Sequence, residues 1–450
     1  MKVDALVLTT LFLTVLMVCL QTPIATAVVV PPPPPAELLW MDPIDTDDLA
    51  LSKDGQYVAA VGPPAGDQST ELRFYGRSSG TPIWTYYAPG DFHSVAISAD
   101  GSGVAAGNGS HIFFWNNAKS RTPGNTDPTW TSVNLGGPIE YRCLAISDDG
   151  NYVVACGTGP GVFYYAGAKA KSGSDIPYTW DYGFALGVNV EAVDISSDGD
   201  YVVAGTVYDA GISRARVAYW KNARTLNAWQ IPAWMSTDPF ADVVDVAVSD
   251  DGNYVASADV GSTVYYWANA KYRSVSETTC TWHSNHIPFN AIDMSSDGDS
   301  VIAGAVDGVY FWSGARTLTG KPEAESWKYP TPAYVWDVAI NDAGDYMAAS
   351  DGARYVYFFD NKGGLKWQYG PLINTPFVLS ISSDGGTLAI GTGMFVSRYL
   401  VSTGFKTLPP RAVGGFLLPA DKLALLSPWI AVSLAAVALT IFATKRRREL

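Results

Sequence analysis

Between residues 37 and 405 apolar and polar positions alternate over short runs, and one polar turn keeps separating the runs. "VDISSDGDYVVAG" (193–205) is representative. Alternation with a period of two predicts half-buried strands, and the Ser-x-Asp-Gly between them predicts a hairpin. Gly supplies the positive φ that such a turn needs, while Ser and Asp bond the local backbone. The phrase occurs eight times, with turn glycines Gly55, Gly101, Gly150, Gly199, Gly252, Gly298, Gly344 and Gly385. A third apolar run follows: "IFFW" (112–115), "VFYY" (162–165), "VAYW" (217–220), "VYYW" (264–267), "VYFW" (309–312) and "VYFF" (356–359). A fourth carries a tryptophan, read as Trp84, Trp130, Trp180, Trp229, Trp282, Trp327 and Trp367.

Four short strands in every 41 to 53 residues is the period of a propeller or solenoid. The last copy lacks a tryptophan strand after "FVSRYL" (395–400), but one stands at the front, "ELLWMDP" (37–43). Trp40 is therefore expected to complete the last unit, which closes the ring and removes an open sheet edge. The expected fold is all-β: an eight-bladed β-propeller of four-stranded antiparallel blades over 37–405, closed by its N-terminal strand. Its strands are named A to D from the axis outward.

On these hairpins and strand periods the chain resembles the WD40-like and quinoprotein-like β-propellers, over roughly residues 37–405. It departs from true WD40 repeats. No Gly-His pair opens the units, and the third strand ends Trp-Asn or Trp-Ala rather than Trp-Asp. The WD40 intrablade hydrogen-bond network is therefore not carried over. No vicinal cysteine pair speaks for quinoprotein catalysis. The resemblance implies an architecture and leaves activity open.

The two ends read differently. Residues 1–27 hold Lys2, the run "ALVLTTLFLTVLMVCL" and then "ATA", the pattern of a secretory signal peptide, though an uncleaved anchor is the alternative. "PPPPP" makes 28–36 a stiff spacer. Residues 424–443, "ALLSPWIAVSLAAVALTIFA", match a transmembrane helix in length and lack of charge. Residues 406–423 read as its linker, and the Lys445–Arg448 cluster makes 444–450 a cytoplasmic tail. The expectation is a single-pass cell-membrane protein with its propeller extracytoplasmic. The stretch around this segment resembles the C-terminal anchors of some archaeal surface proteins.

Composition narrows the function. A net charge of −14 repels phosphate backbones, so no nucleic-acid partner is expected. With four histidines, of which only His283 and His286 are close in sequence, no resident metal or other cofactor is expected. No nucleophile elbow, phosphate loop or H-E-x-x-H occurs, and almost every polar feature repeats, so no catalytic residue is assigned. The expected role is a binding or scaffold module for an extracellular protein or glycan, not an enzyme. The alternative is an extracytoplasmic hydrolase or quinone-dependent dehydrogenase.

Three sets of residues are singled out. Asp48, Asp194, Asp245, Asp293 and Asp337 lie on the A strands and are read as bonding neighbouring backbone or water; the alternative is an axial cation site, with calcium the suited ion. Cys143 and Cys156 face each other when the hairpin is counted outward from "DDGN", so a disulfide and free thiols both remain open. Finally, "TVYDAGISRAR" (206–216) and "IPAWMSTDPFAD" (231–242) are unusually long loops, at one end and on neighbouring units. Loops on a rigid scaffold are where binding resides. Tyr208, Asp209, Arg214, Arg216, Trp234, Asp238 and Phe240 are the candidate ligand-binding residues.

Overall fold

Every Ser-x-Asp-Gly turn closes on itself. In the fourth copy Ser196 Oγ donates to Asp198 Oδ1 at 2.8 Å and accepts the Tyr201 N–H at 3.0 Å, while Gly199 takes φ +76°. The glycine is needed twice over, because a Cβ there would come within 2.4 Å of the Tyr152 ring of the preceding unit. The seventh copy replaces Ser by Asn341 and Asp by Ala343, and Asn341 Oδ1 then accepts both following N–H groups.

The computed structural model describes residues 37–404 except 43, 45, 64–69, 88–89, 138, 140, 158–160, 186, 322, 373 and 393–399. The expected signal peptide (1–27), spacer (28–36), linker (406–423), transmembrane segment (424–443) and tail (444–450) lie outside the described residues. Among the described residues no helix is long and apolar enough to cross a membrane.

The described strands form eight antiparallel four-stranded sheets, two of which gain a fifth, parallel strand. Unit one is Asp48–Leu51, Tyr57–Gly62, Glu71–Gly76 and Trp84–Tyr87. Each innermost strand packs on the innermost strand of the next unit, and Pro376–Ile381 of the last packs back on Asp48–Leu51. The architecture is all-β and propeller-like. Among the described residues its helical content is short 3-10 turns after the third strands, such as Ala223–Thr225.

Closure occurs where the unmatched tryptophan indicates. Glu37–Asp42 pairs antiparallel with Leu400–Gly404, which continues through Thr387–Thr392 to Pro376–Ile381. The third strand of this unit is thus 400–404. The expected 395–400 shares only Leu400 with it, and 395–399 lie outside the described residues.

A tryptophan seam joins the units. Trp84, Trp130, Trp180 and Trp282 donate their indole N–H to Ala118, Ala168, Ala223 and Ala315 O, each in the 3-10 turn of the next unit, at 2.8–2.9 Å. Unit four corrects the reading of Trp229. Its D strand is Trp234–Ser236, and the Trp234 indole donates to Ala270 O at 2.9 Å. Trp229 is 58% exposed, in a two-residue strand that runs parallel to Trp180–Gly183 of unit three. The seam tryptophan stands eleven or twelve residues after the alanine of its own 3-10 turn, and Trp229 comes too early to reach it.

Candidate functional site

The axis is filled by polar side chains at both ends. At the turn end Lys53 reaches across from unit one, with its ammonium 2.9 Å from Asp148 and 3.1 Å from Asp250. At the other end Arg142 projects inward from a left-handed backbone (φ +64°). It lies 3.3 Å from Asp337 and 3.6 Å from Asp245, and donates to Asn290 O. One guanidinium therefore ties unit three to units five, six and seven. Tyr141 and the five axial aspartates line the same cavity, of about 310 Å3.

Those aspartates act as staples between units. Asp48 Oδ1 accepts its neighbour Leu49 N–H, and Oδ2 accepts Val95 N–H of the next unit, both at 2.8 Å. Asp194 binds Val248 N–H, Asp245 binds Ile292 N–H, Asp293 binds Ile340 N–H and Asp337 binds Leu379 N–H in the same way. Burial raises their pKa values: Asp48 and Asp194 to about 7, Asp293 to about 8 and Asp337 to about 6, with Asp245 raised as well. Among the described residues no group of three or more His, Cys, Asp or Glu is placed to hold a metal ion. In the described fold these acids bond backbone N–H groups.

Cys143 and Cys156 form a disulfide with Cα atoms 4.7 Å apart, which fixes the strand next to Arg142. Cys280 is free and buried. Sequence reasoning passed over Arg142 and Lys53 because each occurs once, with no counterpart in the other units.

The two long loops come together. Tyr208 N–H donates to Asp242 Oδ1 at 2.6 Å, and Ala215 N–H to Pro239 O at 3.2 Å. The Arg214 guanidinium carbon stands 3.4 Å from the centre of the Phe240 ring. Val260, in the next unit, donates its N–H to Asp242 O. Tyr208, Ile212, Phe240 and Val260 are all exposed, Phe240 at 64%. Two candidate residues serve the loop itself: Asp209 is buried, accepts Gly211 N–H and pairs with Arg216 at 2.5 Å.

Trp234 requires a correction. Its side chain is 0% exposed and belongs to the seam, so it cannot touch a partner. With 234–236 in a strand, the connection to unit five shortens to 237–242. Asp238 is half-buried, and its Oδ2 accepts the Cys280 N–H. Next to it Phe240, Tyr265, Cys280, His283, Asn285 and Lys321 enclose a cavity of about 460 Å3.

The ring of repeated four-stranded sheets makes this fold a WD40-like, quinoprotein-like β-propeller. Residues 236–268, from the last residue of one D strand through strands A to C of the next unit, match the family model "WD domain, G-beta repeat". Two solved structures share the fold. The C-terminal WD40 domain of Sif2 superposes with a TM-score of 0.61 at 12% identity, covering 82% of this chain and 98% of that one. BamB from Moraxella catarrhalis gives 0.55 at 14% identity, covering 82% and 99%. No curated protein matches the chain in sequence. Identities this low establish a shared fold and nothing finer.

Proposed function

We propose that this chain is an eight-bladed propeller that acts as a protein-docking scaffold at a cell surface, held to the membrane by residues 424–443 with the propeller outside. It binds rather than catalyses. The observation that carries the reading is the braced, exposed cluster of Tyr208, Ile212, Phe240 and Val260. Aromatic and arginine anchors on a rigid support are the make-up of interface hot spots. The apolar stretches 1–27 and 424–443, with basic residues after the second, support the topology. WD40-like architecture supports scaffolding by analogy only.

The test uses the full chain as bait, as wild type and as the Tyr208→Ala/Phe240→Ala double variant. A partner recovered by the wild type should be lost or bound at least tenfold more weakly by the variant, with the melting temperature within about 2 °C. A partner held equally by both would move the docking surface elsewhere. Protease added to intact cells should degrade the propeller, and protection of the propeller would overturn the topology.

A further inference from the structure

The cavity beside Phe240 differs from the axial one in kind. The axial carboxylates are occupied by backbone N–H groups, whereas this cavity opens between unit-five strands and the 237–242 loop and keeps polar groups of several types in its wall. We infer that it is a binding site for a neutral sugar ring, the size and chemistry of a hexopyranose or its glycoside.

Four observations carry this. The volume, about 460 Å3, falls within the range of small-ligand pockets. Its wall carries one acid, Asp238, and one base, Lys321, so its formal charge sums to zero. Asp238 is already engaged, because its Oδ2 accepts the Cys280 N–H. The His283 pKa is lowered, by burial first and by Lys321 second, and its Nδ1 lies 3.9 Å from the Cys280 sulfur.

What the wall then offers is a neutral mixture of donors and acceptors. Asn285 Oδ1 accepts the Thr263 hydroxyl, and its amide nitrogen makes no hydrogen bond among the described residues. A neutral imidazole carries one donor and one acceptor. Facing a ring of hydroxyls, each of these groups finds a partner of the opposite kind. Phe240 and Tyr265 add aromatic surface, on which the C–H groups of a sugar ring can lie while its hydroxyls meet the polar wall. A purely apolar ligand would leave the Asn285 amide nitrogen and the His283 ring without a partner from the ligand, at the cost of their desolvation.

This site goes beyond protein docking, and its test is separable from that reading because Asn285 and Lys321 lie outside the Tyr208 cluster. The full chain, in a detergent without a sugar headgroup, is titrated with the methyl glycosides of glucose, galactose and mannose and with N-acetylglucosamine. Saturation-transfer NMR reads binding, with glycine and acetate as ionic controls. At least one sugar should bind in the millimolar range. Asn285→Ala and Phe240→Ala should each weaken it at least tenfold at unchanged melting temperature. The inference is overturned if no sugar binds, if binding survives both alanine substitutions, or if acetate or glycine binds in a manner abolished by Lys321→Met.

Discussion

The indole N–H of Trp40 lies 2.9 Å from the carbonyl oxygen of Arg77, thirty-seven residues further along the chain. It is the same bond that Trp84, Trp130, Trp180, Trp234 and Trp282 make to the unit after their own. Trp40 also stacks on Tyr75 at 4.9 Å. The first strand of the chain thus behaves as the outermost strand of the last unit, facing the first. Removing its anchor should be costly: Trp40→Ala is expected to destabilise by about 3–5 kcal/mol, as for other buried tryptophans. A chain starting at residue 46 should lose at least as much. Urea unfolding of the three proteins decides it, and equal midpoints would refute closure by this strand.

Arg142 should matter more than any surface charge. It pairs with two half-buried or buried carboxylates and a backbone carbonyl from three separate units. Breaking a buried pair by removing one partner costs about 3–5 kcal/mol. Arg142→Met is expected to fall in that range. Arg316→Met, which removes an exposed pair with Asp297 and Asp299, should cost less than about 1 kcal/mol. Two similar losses in chemical denaturation would mean that the axial position of Arg142 carries no special weight.

The axial aspartates predict a direction for pH dependence. A carboxyl with a raised folded pKa binds its proton more tightly folded than unfolded. Its contribution is complete below the unfolded value of about 4 and is lost as pH rises through the folded value. With Asp337 at about 6, Asp48 and Asp194 at about 7 and Asp293 at about 8, stability should fall between pH 4 and 8. Asp251 and Asp360 are lowered, and their contribution is lost only below pH 4. The melting temperature should therefore be highest in weak acid, and Asp293→Asn should flatten its decline. A midpoint that climbs steadily from pH 5 to 8 would contradict this assignment.

Reduction should loosen the same region. Cys143 and Cys156 close a short loop, and such a bond contributes about 3 kcal/mol in the chain-entropy account. Dithiothreitol should lower the melting temperature of the wild type but not of Cys143→Ser. Of the three cysteines in the chain without residues 1–27, one should react with a thiol reagent after denaturation without reductant. Three reactive thiols would show that the bond does not form.

Much of the fold was legible because it repeats. The eight turn glycines, the third strands of the units before the last and the role of Trp40 follow from spacing alone. The register failed where one unit offers two tryptophans: Trp229 and Trp234 are equally apolar, and only the distance from the 3-10 turn separates them. That slip placed a core indole among the candidate binding residues. The pairing of Tyr208 with Asp242 was foreshadowed by loop length, since both loops lie at one end and Val217–Lys221, where the first ends, pairs with Trp234–Ser236, where the second starts. The Arg142 clasp was not, because it depends on where a single D–A connection bends over the axis, which no repeat encodes. The cavity around Asp238, His283 and Lys321 draws on three stretches of sequence, none of them distinctive alone.

The strand Glu37–Asp42 is joined covalently to the ring through its C-terminal end, and its pairing with Leu400–Gly404 is non-covalent. A molecule in which it unlatches has both a free strand and a vacant slot for one. Two such molecules at high concentration can each fill the other's slot, giving a dimer in which every bond of the closed ring is kept but made between chains. That exchange would link propellers without any new interface.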